Sequence, residues 1–230
     1  MSVDIRRSSS RFVEREQGRR TQHAFSFGEH YDPAWLSFGP MVCHDDHLLG
    51  SGRGFEEHAH ADLAIVTTVL SGSLAHVDSL GTEGALGSGE VAVLSAGAGI
   101  RHSELATADG AARFVQVWLR PDEVGVAPTY VRGSTAAAVP GAGLIPVAGG
   151  GTELALGVAG ASYGVARLGA GETLVLPAAA RLHAYVASGA LLRSSMAEPL
   201  QAGDAFCFTD EPDHAVTAAV PTELLVWTFA

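Results

Sequence analysis

At 230 residues the chain can form one large or two small domains and is long enough to bury a substantial core. A formal charge of −11 excludes a surface built for nucleic acid or anionic membrane, because such binding neutralises phosphates with basic side chains. All 14 basic residues are Arg, and the two cysteines, Cys43 and Cys207, are too few for a disulfide framework.

Residues 1–20 are polar and Arg-rich and read as a mobile, solvated terminus with a short turn of helix around Phe12–Glu16. No apolar run follows that start, and no stretch approaches about 18 apolar residues, so the chain reads as soluble and cytoplasmic, with no membrane partner. Residues 23–41 are rich in aromatics (Phe25, Phe27, Tyr31, Trp35, Phe38) and read as a short strand and an irregular segment, either ordinary core or a wall over a pocket mouth. The run Cys43-His44-Asp45-Asp46-His47 offers metal-ligand types, but its acidic pair reads more simply as a solvated loop between strands.

The stretch 52–104 carries the chemistry. At one end stand His58 and His60, at the other His102 and Glu104, each pair spaced i, i+2. On a β-strand that spacing puts both side chains on one face, roughly 6–7 Å apart. If the two strands face each other across a small barrel, three imidazoles and one carboxylate converge, and that is a metal site. Either pair alone is weak, since roughly 0.4 His-x-His pairs arise by chance in a chain with this much His. The glycine frame raises the signal: Gly52, Gly72, Gly89, Gly97 and Gly99 fall where tight turns and close strand approach are needed.

Residues 62–70, 73–78, 90–94 and 113–119 read as short strands at near-regular spacing, a sandwich or barrel pattern. His76 and Asp78, another i, i+2 pair, read as a polar strand face or support for the site. Four prolines and a Gly/Ala-rich run between 121 and 151 place the inter-domain connection there. A second series of strands follows at 163–168, 173–176, 182–186, 205–208, 214–219 and 224–229. Gly171-Glu172-Thr173 and Gly203-Asp204-Ala205 echo Gly89-Glu90-Val91, which suggests a duplicated barrel. With only His183 and His214 in this half, the second barrel is expected to hold no metal.

The runs Phe25-Ser26-Phe27, Tyr31-Asp32-Pro33, His58-x-His60, Asp78-Ser79-Leu80-Gly81, Ser95 to Glu104, and Gly125-x-x-Pro128-x-Tyr130 follow one another in order. On them rests a resemblance of the first half to the pirin family of bicupins, closest to its bacterial quercetin dioxygenase-like members. The resemblance implies an all-β chain of two tandem cupin (double-stranded β-helix, jelly-roll) barrels. Residues 1–130 would form a metal-binding domain and 131–230 a degenerate one without metal. It also implies one divalent transition metal on His58, His60, His102 and Glu104, the four that spacing proposes. Departures from the family pattern stand out at Ala61 and Ala64 after the second His, and at Ala75 and Val77 in the hairpin. By parity with His60, residue 64 is expected to point inward, so the family's pocket carboxylate is missing there.

Three imidazoles and a carboxylate leave open positions on an octahedral ion. Iron(II) is the first choice, with manganese, nickel, cobalt, copper or zinc as alternatives. Glu104 is the expected catalytic base, with Asp62 its rival. The expected activity is a quercetinase-type oxidoreductase acting on a flavonol-like aromatic substrate with dioxygen. The alternative is a metal-holding regulatory module that contacts another protein.

Overall fold

The computed structural model describes all 230 residues; strands make up nearly all its regular structure, with one 3-10 turn at Ser8–Ser10. In the first part of the chain the strands are β1 (Ser2–Arg6), β2 (Phe12–Glu16), β3 (Arg19–His23), β4 (Met41–Leu49), β5 (Gly54–His60), β6 (Ala64–Ser71), β7 (Ser73–Asp78), β8 (Glu83–Gly87), β9 (Glu90–Ser95), β10 (Ile100–Ala106), β11 (Ala112–Leu119) and β12 (Thr129–Ser134). They continue as β13 (Ile145–Gly149), β14 (Ser162–Leu168), β15 (Thr173–Leu176), β16 (Ala179–Ser188), β17 (Ala190–Leu191), β18 (Leu200–Gln201), β19 (Ala205–Glu211), β20 (His214–Thr217) and β21 (Thr222–Phe229). None of the chain forms a helix long and apolar enough to cross a membrane.

The chain divides into two compact units, residues 12–134 with 156–158, and residues 1–11 with 135–155 and 159–230. The first of these has a seven-stranded sheet in the order β12-β9-β6-β11-β4-β3-β2 and a four-stranded sheet in the order β5-β10-β7-β8. Their inner faces meet where Leu49, Val69 and Phe114 of the large sheet pack with Leu74, Leu86 and Ala106 of the small one. This is the expected jelly-roll arrangement, with alternate residues of each strand turned inward.

The other unit repeats the plan. The order β9-β6-β11-β4 in one large sheet reappears as β19-β16-β21-β14 in the other, and the small sheet is reduced to the pairs β15-β20 and β17-β18, linked by the bridge Leu191↔Ala218. The glycine-acid echo has a physical basis in this duplication. Glu90, Glu172 and Asp204 each accept the backbone N–H three residues earlier, at 2.6, 2.7 and 3.1 Å, and so close the turn before a strand.

The N-terminus is not a loose arm. β1 runs antiparallel to β19, the same edge position that β12 takes on β9. Asp204 anchors it: Arg7 donates to its Oδ2 at 2.9 Å and the Ser8 amide to its Oδ1 at 2.7 Å. Phe12–Glu16, expected as a helical turn, is strand β2 paired with β3. The Cys43–His47 run, expected as a solvated loop, lies in β4 and is buried, because both neighbouring strands of a central position cover it. Cys43 and Cys207 are free and buried.

Candidate metal centre and its pocket

β5 and β10 run antiparallel and set His58 opposite His102 and His60 opposite Ile100. The register then shifts, so that Glu104 faces Phe55. The bulge falls at the exposed Glu56 and Glu57 and keeps Phe55, His58 and His60 on the inner side. Gly54 makes this approach possible. A Cβ there would collide with the Glu104 carbonyl oxygen and stand 2.9 Å from the Leu105 Cα. We expect Gly54→Ala to cost about 2 kcal/mol of stability by overpacking and to displace β10 at Glu104. Unchanged thermal unfolding would contradict this.

The three imidazoles come together. Ring centroids are 4.5 Å apart for His58–His102, 4.8 Å for His58–His60 and 5.1 Å for His60–His102. Their ligand atoms all lie within 4.8 Å of one another. Glu104 forms a second such group with His102 and His76, so His102 is common to both. His76 is the residue that spacing placed only at the margin. It sits opposite Glu104 on β7, stacks on Tyr130 at 4.1 Å and bonds Asp78 through Nε2 at 3.0 Å. The His76–Asp78 spacing was the signal available for it.

Glu104 is held by the opposite sheet. Gln116 Nε2 donates to its Oε2 at 2.8 Å, and the Thr67 hydroxyl donates to its Oε1 at 3.3 Å. Gln116 is fixed in turn by Trp118, whose indole N–H donates to the Gln116 Oε1 at 2.8 Å. The carboxylate is therefore aimed by a chain of donors.

Burial, followed by the neighbouring His58 and His76 imidazoles, pushes the His102 pKa down to about 3. Burial, with His102 and His58, pushes His60 down to about 4. His60 Nε2 and both ring nitrogens of His102 are buried without a hydrogen-bond partner. Neutral imidazoles with unclaimed nitrogens are the form a divalent ion takes, and the donor set fits one. In the unfolded chain these groups titrate near pH 6.5. Between that pH and about 4 the unfolded chain binds more protons, so metal-free protein should lose stability as pH falls through this window. Urea midpoints at pH 7, 5.5 and 4.5 should decline, and His102→Leu should flatten that slope by about one proton. An unaltered slope would contradict the assignment.

The site opens on a cavity of about 230 Å³. His58, His60 and Glu104 lie in its wall beside the rings of Phe27, Phe55 and Trp118. Phe27 is the member of the 23–41 aromatic group that reaches the cavity. Phe25 is buried core, and Tyr31 is exposed. Between β3 and β4 the segment is irregular, with only the bridges Phe27↔His30 and Phe38↔Met41.

Several residues fall elsewhere than expected. Asp62 has φ 53°, is exposed, and accepts the Gly125 N–H at 2.7 Å, so it closes a loop and does not face the site. The same turn resets strand parity: Thr67 points at Glu104, which turns Ile65 inward and Ala64 outward. A carboxylate at residue 64 would not enter the cavity. Val77 is exposed, and Ala75 shares its face of β7 while His76 points in. Charges at 75 and 77 would likewise lie outside.

The duplicated plan identifies the counterparts of the four candidate site residues. Leu174 pairs with Val216 as His58 pairs with His102, and Leu176 with His214 as His60 with Ile100. The corresponding set is Leu174, Leu176, Val216 and Ala218, all in one buried apolar cluster. Each buried leucine there contributes about 1.5–3 kcal/mol of hydrophobic stabilisation. We expect His183→Ala and His214→Ala to leave metal content unchanged; a second equivalent of metal lost in either variant would contradict this.

Comparison with known proteins agrees with this architecture. The family model described as Pirin matches residues 5–119. A Mycobacterium tuberculosis protein named "Putative quercetin 2,3-dioxygenase Rv0181c" is 39% identical over 231 aligned residues, covering 98% of this chain and 94% of that one. Quercetin 2,3-dioxygenase of Escherichia coli K12 is 38% identical over 109 residues, 47% of each chain. Among solved structures, the bacterial pirin YhhW of Escherichia coli in complex with nickel(II) superposes with a TM-score of 0.89, at 26% identity over 99% of both chains.

Proposed function

The chain belongs to the pirin family, and from that premise we propose that it is a metal-dependent dioxygenase of the quercetinase type. His58, His60, His102 and Glu104 would hold one divalent ion, iron(II) first among the candidates. The observation that carries this reading is the group of three imidazoles, in which His60 Nε2 and both nitrogens of His102 are buried without a hydrogen-bond partner, beside a carboxylate aimed by two donors. A bound ion would supply Lewis acidity toward a flavonol hydroxyl and a centre for dioxygen.

The chain's own residues do the rest. Phe27, Phe55 and Trp118 offer a slot for a flat ring system and exclude water from it. Glu104 takes the substrate's enolic proton onto its carboxylate, with Gln116 and Thr67 holding the oxygens in place. The overall reaction consumes one dioxygen, places both its atoms in the ring-opened product and releases one carbon monoxide. The test is oxygen uptake with carbon monoxide release when quercetin meets protein reloaded with iron(II), manganese, nickel or copper. We expect turnover with at least one metal. No uptake with any of them would favour a metal-holding regulatory module.

A further inference from the structure

The inner face of the seven-stranded sheet carries a polar rung that the reaction above uses at one end only. His23 of β3 lies opposite Asp45 of β4, Asp45 opposite Gln116 of β11, and Gln116 opposite Thr67 of β6. Three strand spacings of about 4.8 Å give the rung a length of about 14 Å. Gln116 and Thr67 serve Glu104. His23 and Asp45 belong to neither candidate ligand group, yet they line the same cavity as His60 and Glu104.

The pair is built rather than incidental. His23 Nδ1 and Asp45 Oδ2 are 2.8 Å apart, and both residues are buried. Burying such a pair costs desolvation that an apolar pair in the same place would not. The other ring nitrogen, Nε2, stands 3.7 Å from Glu14 Oε2, too far for a direct hydrogen bond. Burial works against a charged His23, but the hydrogen bond and charge of Asp45, with the charge of Glu14, outweigh it and raise its pKa. A charged donor binds an oxygen more strongly than a neutral one. An aromatic lane joins the two ends: His23 stacks on Phe27 at 5.1 Å, Phe27 meets Trp118 edge-on at 5.7 Å, and Trp118 meets His60 at 4.9 Å.

We infer that His23, oriented by Asp45, forms a second subsite of the cavity. It takes a phenolic hydroxyl on the substrate ring remote from Glu104, so that the chain selects polyphenols hydroxylated at both ends. Glu14, at the cavity rim, accepts a hydrogen bond from the same hydroxyl. The inference rests on the flavonol reading of the site, and its test separates the two.

The test measures anaerobic binding of quercetin and of galangin, the same flavonol without hydroxyls on its lateral ring, to nickel(II)-loaded protein by calorimetry. Wild type should prefer quercetin by about tenfold, the worth of one good hydrogen bond. His23→Leu should weaken quercetin by about that factor and leave galangin within about twofold. His23→Gln, which keeps a donor, should retain part of the preference and covers the case in which the leucine variant misfolds. Equal weakening of both ligands, no preference in wild type, or no binding of either flavonol would each overturn the subsite. Preserved preference without turnover by protein loaded with iron(II), manganese, nickel or copper would support the subsite and sink the oxygenase reading.

Discussion

His102→Leu will abolish metal binding and at the same time stabilise the metal-free protein. His102 is the one residue shared by both groups of ligand atoms, so its loss leaves neither complete. Bound metal should fall from one equivalent per chain to less than about a tenth, in line with the loss of a direct metal ligand. The second effect has the opposite sign because both ring nitrogens of His102 are buried without a partner in the metal-free protein. An unsatisfied buried polar group costs about 1–3 kcal/mol, and an apolar side chain of similar size removes that cost. Urea unfolding of metal-free wild type and variant, beside elemental analysis of both after metal loading, checks the two effects together. A variant that keeps its metal, or that is destabilised when metal-free, would show that His102 serves the core rather than the site.

Glu104→Gln separates holding the ion from moving the proton. The amide is nearly isosteric and still offers a carbonyl oxygen, so metal content should fall only in part. It cannot take the substrate's proton, and the rate at matched metal content should drop by a factor of about 10²–10⁴. Gln116→Leu should mimic part of this loss, because it removes the 2.8 Å donor that aims the carboxylate. Asp62→Asn should have little effect on rate, since Asp62 is committed to the Gly125 amide on an exposed loop. Turnover by Glu104→Gln at the wild-type rate would remove Glu104 from the proton transfer.

The two i, i+2 pairs read as a candidate site because strand periodicity is simple: alternate residues share a face, and the pairing of β5 with β10 brings the imidazoles of His58, His60 and His102 together. Regular strands with glycine-marked turns made the all-β duplicated plan legible for the same reason. What stayed hidden depended on contacts far apart in the chain. The pairing of β1 with β19 rests on Asp204, nearly two hundred residues from its partners Arg7 and Ser8. Ala64 escapes the parity of His58 and His60 because β5 ends at His60 and the chain turns through Asp62, with its left-handed backbone, into β6 of the other sheet. The polar run around Asp45 and His47 resembled a solvated turn because local composition cannot tell a loop from the interior wall of a polar cavity. His76 sat in a modest i, i+2 pair, and only the pairing of β7 with β10 brings it beside Glu104.

The measurement that bears most directly on the metal centre is an anomalous difference map at the metal's absorption edge, from crystals of protein loaded with one equivalent of iron(II) or nickel(II). One peak per chain is expected, about 2.1 Å from a ring nitrogen of each of His58, His60 and His102 and within bonding reach of Glu104. No peak is expected beside Leu174, Leu176, Val216 and Ala218. A stoichiometric peak at any other set of side chains, or none among the three imidazoles, would contradict the proposed metal centre.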